Sequence, residues 1–166
     1  MMNYRVRSKA ADIEIIEMVA GDLDEVIAIE CSSFTEPWSA KMFEQGLRLP
    51  EFHNLVAKVM VEGGREIAGY INFLLGPDEV HILNIAIRED FRMHGTASKL
   101  MEEMIKISYN QGAFFATLEV RGNNAAARKL YEKFGFAATG IRPFYYSDTG
   151  ESALIMEADL RYNFNA

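Results

Sequence analysis

Between Glu79 and Val120 the apolar residues change period twice, and nothing else in the chain restricts the fold as much. The run EVHILNIAI (79–87) reads as a strand. Leu100, Met101, Met104, Ile105 and Ser108 then recur at helical spacing, and Gly112 marks the stop of that helix. AFFATLEV (113–120) reads as a strand again. A strand–helix–strand unit of this kind predicts a right-handed crossover between two parallel strands. Ahead of it lie two more strand-like runs, NLVAKVMV (54–61) and REIAGYINFLL (65–75). Glu62-Gly63-Gly64 and Gly76-Pro77-Asp78 separate the three runs with turn chemistry, which predicts an antiparallel meander.

Both flanks extend the pattern. IEIIEMVA (13–20) alternates as a strand does. Asp22 is placed to cap a helix through LDEVIAIECSSF, where Leu23, Val26, Ile27 and Ile29 share helical spacing. Pro37 interrupts it, and Ser39 is placed to cap a second short helix through Leu47. Downstream, Asn123 or Asn124 begins a helix with Leu130, Tyr131 and Phe134 on one side and Gly135 at its end. Two strands, about 136–142 and 152–160, close the chain around PFYYSDTGE. The predicted order is β-α-α-β-β-β-α-β-α-β-β, a single α/β domain with a mixed sheet and helices on both faces, its core at about 13–160. The first ten or so residues are polar and expected to be loose.

Composition narrows the partners. A net charge of −7 argues against non-specific nucleic-acid binding, whose phosphates need a basic face, and leaves room for a basic peptide or a cationic amine. Cys31 is the only cysteine, so no internal disulfide forms and a reducing compartment is expected. With no apolar run of signal-peptide or membrane-span length, the expected location is the cytoplasm. His53, His81 and His94 are scattered and lack metal-ligand spacing, so no metal is expected.

The segment after the third meander strand, REDFRMHGTASKLMEEMIK (88–106), places Gly95 and two small residues at the start of a long amphipathic helix. The first N–H groups of a helix have no internal partners, and its dipole adds about half a positive charge there. Gly95 lets an anion approach the backbone without a side chain in the way. Neither the Walker phosphate loop nor the dinucleotide glycine fingerprint is present. What remains is Arg92-x-x-Gly95-x-Ala97.

That loop resembles the pyrophosphate loop of the GNAT N-acetyltransferases. LEVRGNNAAARKLYEKFGF (118–136) is similar to the following segment of the same family at length. FTEPWS (34–39), LNIAI (83–87) and IRPFYYSD (141–148) narrow the likeness to the bacterial ribosomal-protein-alanine N-acetyltransferases, over about residues 14–158. The resemblance implies the GNAT acyl-CoA N-acyltransferase fold, acetyl-CoA as donor and the N-terminal α-amine of a basic ribosomal-protein peptide as acceptor, with no nucleic-acid or membrane contact.

Acetyl transfer from a thioester to an amine requires a proton to leave the amine, the carbonyl oxygen to be stabilised and the thiolate to be protonated. An α-amine has a pKa of about 8, so much of it is unreactive ammonium near neutral pH. The resemblance makes Glu119 the general base. Its strand position places it on one side with Ala113, Phe115 and Thr117. The plain alternative is an exposed glutamate, solvated or paired with Arg121. Tyr131 matches the family's general acid, a phenol that still holds its proton at neutral pH. Its alternative is a core tyrosine.

For the coenzyme, the resemblance implies backbone pairing with pantetheine at Ile85, Ala86 and Ile87, in a strand splayed from its neighbour. It places the pyrophosphate on Met93, His94, Gly95, Thr96, Ala97 and Ser98, and the coenzyme arm near Asn124, which can also cap its helix. The loop lacks the basic residues the family commonly has in place of Met93 and Ser98. Only Arg92 before it and Lys99 after it are charged, which predicts weaker coenzyme binding; His94 is expected to face solvent. Phe34, Trp38, Tyr145 and Tyr146 fall in two loops expected to flank the acceptor, with ordinary packing an equal alternative for Trp38. Glu36 and Asp148 favour a basic peptide. Two other functions remain open: the same chemistry on another amine, or a coenzyme-A-binding regulatory module without turnover.

Overall fold

The computed structural model describes residues 12–164. The polar opening residues expected to be loose lie outside the described residues. The chain forms β1 (Ile13–Glu17), α1 (Leu23–Ser33), α2 (Ala40–Gly46), β2 (Phe52–Val61), β3 (Gly64–Leu75) and β4 (Glu79–Ile87). It continues through α3 (Thr96–Asn110), β5 (Phe115–Arg121), α4 (Ala125–Lys133), β6 (Ala137–Arg142), β7 (Ala153–Asp159) and the short α5 (Arg161–Phe164). The strands make one mixed sheet in the order β1-β2-β3-β4-β5-β7-β6. β2, β3 and β4 are antiparallel neighbours, as the turn chemistry predicts, β1 adds antiparallel to β2, and β4 runs parallel to β5 across the α3 crossover. No helix among the described residues is long and apolar enough to cross a membrane.

Each face of the sheet has its own core. On one, Leu100, Met101, Met104 and Ile105 of α3 and Tyr131 and Phe134 beside α4 pack on Leu55, Ile71, Phe73 and Leu118. On the other, Leu23, Val26 and Ile29 of α1 and Phe43 of α2 cover Val56, Ile67 and Tyr70. β3 is sandwiched between both layers, which explains its unbroken buried run from Ile67 to Phe73. The Ser39 hydroxyl caps α2 by accepting the Met42 N–H at 3.3 Å. Asp22 does not cap α1 as expected. A preceding 3₁₀ turn aims its carboxylate back at the Val19 N–H (2.9 Å) and at Lys58 (2.7 Å).

The feature that positions the site is the seam between β4 and β5. Their parallel register covers only Glu79–Phe115, Val80–Ala116 and His81–Thr117. Beyond His81 the strands part, although β4 continues to Ile87 and β5 to Arg121. β4 also carries an extra residue: its register with β3 passes from Asn84–Asn72 to Ile82–Phe73, so Leu83 is bulged. Bulges increase local twist, and here the bulge begins the stretch that leaves β5.

β3 approaches this stretch closely at Gly69, opposite Ile87. A Cβ on Gly69 would lie 2.5 Å from Ile87 Cδ1 and 2.7 Å from the Ala86 carbonyl oxygen. The carbonyl is backbone and cannot rotate away. Gly69→Ala is therefore expected to destabilise the fold by about 1–3 kcal/mol and to displace residues 85–87. Chemical denaturation measures the first effect, and coenzyme A titration the second; an unchanged midpoint would show that the strands yield freely.

Candidate active site

Glu119 and His81 meet where the strands part. Thr117 and Glu119 share one face of β5, and His81 stands beside Thr117 in the last register pair. His81 Nε2 lies 2.6 Å from Glu119 Oε2, and Arg142 Nε of β6 lies 3.0 Å from Glu119 Oε1. The Glu119 side chain is only 5% exposed. It is neither solvated nor paired with Arg121, so the plain alternative does not hold. An ionised carboxylate has about four lone-pair directions, so two bonds hold the group in place and leave acceptor capacity over.

Arg121 faces the neighbouring loop instead. Its guanidinium donates to both Asp148 oxygens (2.8 and 2.7 Å), to Thr149 Oγ1 and to Glu151 (3.0 Å each), and lies 3.8 Å from the centre of the Tyr146 ring. The Asp148 carboxyl is held down to about 2 by the Arg121 bond first and the Thr35 hydroxyl second. That hydroxyl, together with Ser147 Oγ donating to Glu36 Oε2 at 2.6 Å, ties the loop before α2 to the loop between β6 and β7. The two predicted aromatic loops thus form one wall. Tyr145 and Tyr146 stack edge to face at 5.0 Å. Phe34 is partly open to solvent, and Trp38 packs on Phe43 at 5.5 Å between centroids, so its ring belongs largely to packing.

Tyr131 is buried in the α3–α4 layer, its ring 5.9 Å from that of Phe136. Its phenol is pushed well above the ordinary range, chiefly by burial and further by the Tyr146 phenol. Burial likewise raises Tyr145, and raises Tyr146 to about 12, and the Glu119 carboxylate adds to both. Glu119 thus acts on Tyr145 and Tyr146, and Tyr146 in turn on Tyr131, so the tyrosine pair adjoins both groups across one neighbourhood. Tyr131 reaches it from the α4 layer, on the sheet face opposite to that of Glu119.

The residues expected to form an anion site lie together at the start of α3. Gly95 precedes α3 in a left-handed conformation (φ 79°), with open space where a Cβ would stand. Met93 is also left-handed (φ 62°), and its apolar side chain is fully exposed. The first turn of α3 contains no acidic residue, Thr96 is buried with an unpartnered hydroxyl, and His94 is exposed. Asn124 Oδ1 caps α4 through the Ala127 N–H at 3.2 Å.

Two site residues escaped the sequence reading. His81 looked like one of three scattered histidines, and only the β4–β5 register brings it to Glu119. Lys133 brings to the loop a cation from outside it: from the last residue of α4 its Nζ reaches Ser98 Oγ at 3.0 Å. A cation beside a helix N-terminus is unfavourably placed unless an anion joins it. The segment KLYEK, already read as similar to the family, held the signal, but not its proximity to Ser98.

An open cavity of about 700 Å³ adjoins these residues at Thr117 and Lys133 and extends to Phe115 and Tyr162. Its rim carries Glu79, Glu132, Glu157 and Asp159 as well as Lys133, a charge balance that repels a diphosphate, and it includes neither Glu119 nor Tyr131.

Comparison with known proteins bears on the family and the fold. Residues 23–136 match the acetyltransferase (GNAT) family. A Bacillus subtilis protein named as a candidate ribosomal protein bS18-alanine N-acetyltransferase is 38% identical over 152 residues, 91% of this chain and 96% of the relative. The Escherichia coli ribosomal protein bS18-alanine N-acetyltransferase is 35% identical over 139 residues, 81% of this chain and 89% of the relative. The crystal structure of the Escherichia coli ribosomal-protein-S18-alanine N-acetyltransferase superposes with a TM-score of 0.78 at 31% identity, covering 89% of this chain and 94% of that one. A GNAT family acetyltransferase from Elizabethkingia anophelis with acetyl-CoA bound shares the fold, with a TM-score of 0.70 at 20% identity, covering 89% of this chain and 98% of that one.

Proposed function

The chain belongs to the acetyltransferase (GNAT) family and is an N-acetyltransferase, and from that premise we propose that it moves the acetyl group of acetyl-CoA to the N-terminal α-amine of a protein, the N-terminal alanine of a small-subunit ribosomal protein above all. The observation that carries this reading is the meeting of Glu119 with the parted strands of the sheet, within electrostatic reach of the tyrosines around Tyr131. The relatives supply the acceptor: the Escherichia coli protein is named for the alanine of bS18, and the Bacillus subtilis one as a candidate for the same role.

The residues present fit the coenzyme. Backbone groups of Ile85, Ala86 and Ile87 on the open side of β4 would hold its pantetheine arm, and Asn124 would flank it. Amides of residues 93–98 would hold the diphosphate, with Lys133 and Ser98 adding a cation and a hydroxyl. The coenzyme supplies an activated thioester. Glu119, braced by His81 and Arg142, takes the proton from the incoming amine, directly or through one water. An amide at the β4 edge faces the developing charge on the carbonyl oxygen. Tyr131 gives its proton to the departing sulfur; burial keeps the phenol protonated at neutral pH but also makes it a weaker acid, so the role rests on its place beside the site. The wall of Phe34, Tyr145 and Tyr146 would receive the first residues of the peptide, with Glu36 at its rim for a basic side chain. Such an acceptor places the enzyme in the cytoplasm.

The direct test is incubation with acetyl-CoA and two peptides, one beginning Ala-Arg and one with a blocked N-terminus and a free lysine. Mass spectrometry should find acetyl on the first alone. Transfer to the lysine would reassign the acceptor, and coenzyme binding without transfer to a broad amine panel would favour the regulatory module.

Lys133 gives a sharper prediction. Lys133→Met should weaken acetyl-CoA binding about fivefold, the effect of an exposed charge contact of about 1 kcal/mol, and leave kcat unchanged. The loss should vanish for S-acetyl-pantetheine, which lacks the diphosphate. Equal loss with both donors would show that Lys133 acts on the fold instead.

A further inference from the structure

Glu30 is the least expected side chain of the α1–α2 layer. It is fully buried in the last turns of α1, and no cation pairs with it among the described residues. Every contact it makes is with a donor. The Trp38 N–H donates to Oε1 at 2.8 Å, the Tyr70 hydroxyl to Oε2, and Asn84 Nδ2 to both oxygens at 3.2 and 3.4 Å. Trp38, Phe43 and Tyr70 stack in succession beside it, with centroids 5.5 and 5.8 Å apart. Burial pushes the Glu30 carboxyl above its usual range, while the bonds from Trp38 and Asn84 pull it back. A buried carboxylate without a cation is a poor source of stability, since its desolvation is barely recovered by neutral donors.

The donors differ in what they belong to. Trp38 ends the segment whose Thr35 and Glu36 are tied to Asp148 and Ser147 across the acceptor wall. Asn84 belongs to β4, just past the Leu83 bulge and one residue before Ile85. Tyr70 is opposite Ala86 in β3. One carboxylate therefore touches both the wall proposed to receive the amine and the strand proposed to carry the thioester.

Building on that functional reading, we infer that Glu30 is a positioning residue, a strut that fixes the distance between the acceptor wall and the β4 rail and so aligns the amine with the acetyl group. It touches neither substrate. Reacting atoms must come within about 3–3.5 Å, and a misplacement of about 1 Å from a remote change can cost about a hundredfold in rate. A strut anchored at both ends by hydrogen bonds suits that demand better than an apolar contact, because its length and direction are fixed.

The test uses the whole protein and exploits Trp38, the only tryptophan, whose fluorescence reports the α2 end of the acceptor wall where its ring packs on Phe43. Three variants are compared. Glu30→Leu removes both anchors. Asn84→Ala cuts only the β4 end, at a half-buried site where loss of fold is not expected. Glu30→Gln keeps an oxygen for the Trp38 N–H and turns an amide to the Tyr70 hydroxyl, which can accept. The measurements are acrylamide quenching of Trp38, calorimetric binding of coenzyme A, and acetyl transfer to the Ala-Arg peptide alongside acetyl-CoA hydrolysis without peptide.

Glu30→Leu and Asn84→Ala should each lower peptide kcat/KM at least about tenfold, while coenzyme affinity and hydrolysis persist. Trp38 should become more quenchable in Glu30→Leu, and Glu30→Gln should stay close to wild type in every measurement. Should Glu30→Leu fail to fold, the other two variants decide. Transfer unchanged in Asn84→Ala overturns the proposal, as does loss of coenzyme binding in step with transfer. Glu30→Gln as impaired as Glu30→Leu also overturns it. If the wild type acetylates no peptide, the functional reading fails instead, and a quenching difference between Glu30→Leu and Glu30→Gln still shows the strut holding the wall.

Discussion

Glu119→Gln should lower acetyl transfer to an N-terminal amine by about two to four orders of magnitude near neutral pH, the usual contribution of a positioned base. The fold should survive. The substituted side chain keeps an oxygen for Arg142 Nε, and its amide would meet the His81 ring nitrogen, which accepts in its neutral form. The deficit should shrink as pH rises past about 8, where the amine loses its proton unaided. Steady-state rates from about pH 6.5 to about 9.5, with a thermal melt of each protein, measure both effects. A variant whose profile runs parallel to the wild type at every pH would remove Glu119 as base. A variant that melts early would show that the carboxylate serves to join β5 to β6 through Arg142.

Tyr131→Phe should cost about a hundredfold in turnover and spare both coenzyme affinity and stability. The ring stays in its apolar pocket beside Phe136, so only the hydroxyl is lost. The phenol also sets an expectation for pH. Its pKa is raised in the fold, so the acid keeps its proton through the whole neutral and mildly alkaline range, and no loss of activity below about pH 10 should trace to it. The sign for stability follows from the same shift. Above about pH 10 the unfolded chain releases a proton that the folded chain retains, so the stabilisation present at lower pH is lost as pH rises. Tyr131→Phe should abolish that part of the alkaline decline. Turnover within about twofold of wild type, far short of the loss of a proton donor, would return Tyr131 to the core alone.

Much of this arrangement was legible in the residues. The double change of period from Glu79 to Val120 gives the parallel crossover, and the two turns give the meander, because side-chain pattern and turn chemistry are local. Gly95 and the small residues after it mark the helix N-terminus for the same reason. Three things were not legible. The insertion of β7 between β5 and β6 depends on edge choice, which no local pattern encodes. His81 and Lys133 each come to the site through register or helix packing, at separations of 38 residues from Glu119 and 35 from Ser98. Glu30 reads as one more acid on an amphipathic helix until Asn84 and Trp38 are seen to converge on it.

The parted strands carry one last implication. A groove lined by peptide groups has no side chain to lose, so substitutions between Leu83 and Ile87 leave its donors and acceptors intact, proline and the bond from Asn84 to Glu30 excepted. Under the proposed function, grip on the donor is thereby insulated from mutational drift. The loops around Phe34 and Tyr145 have no such shelter, and choice of acceptor is free to diverge while the handle for the activated acetyl stays the same.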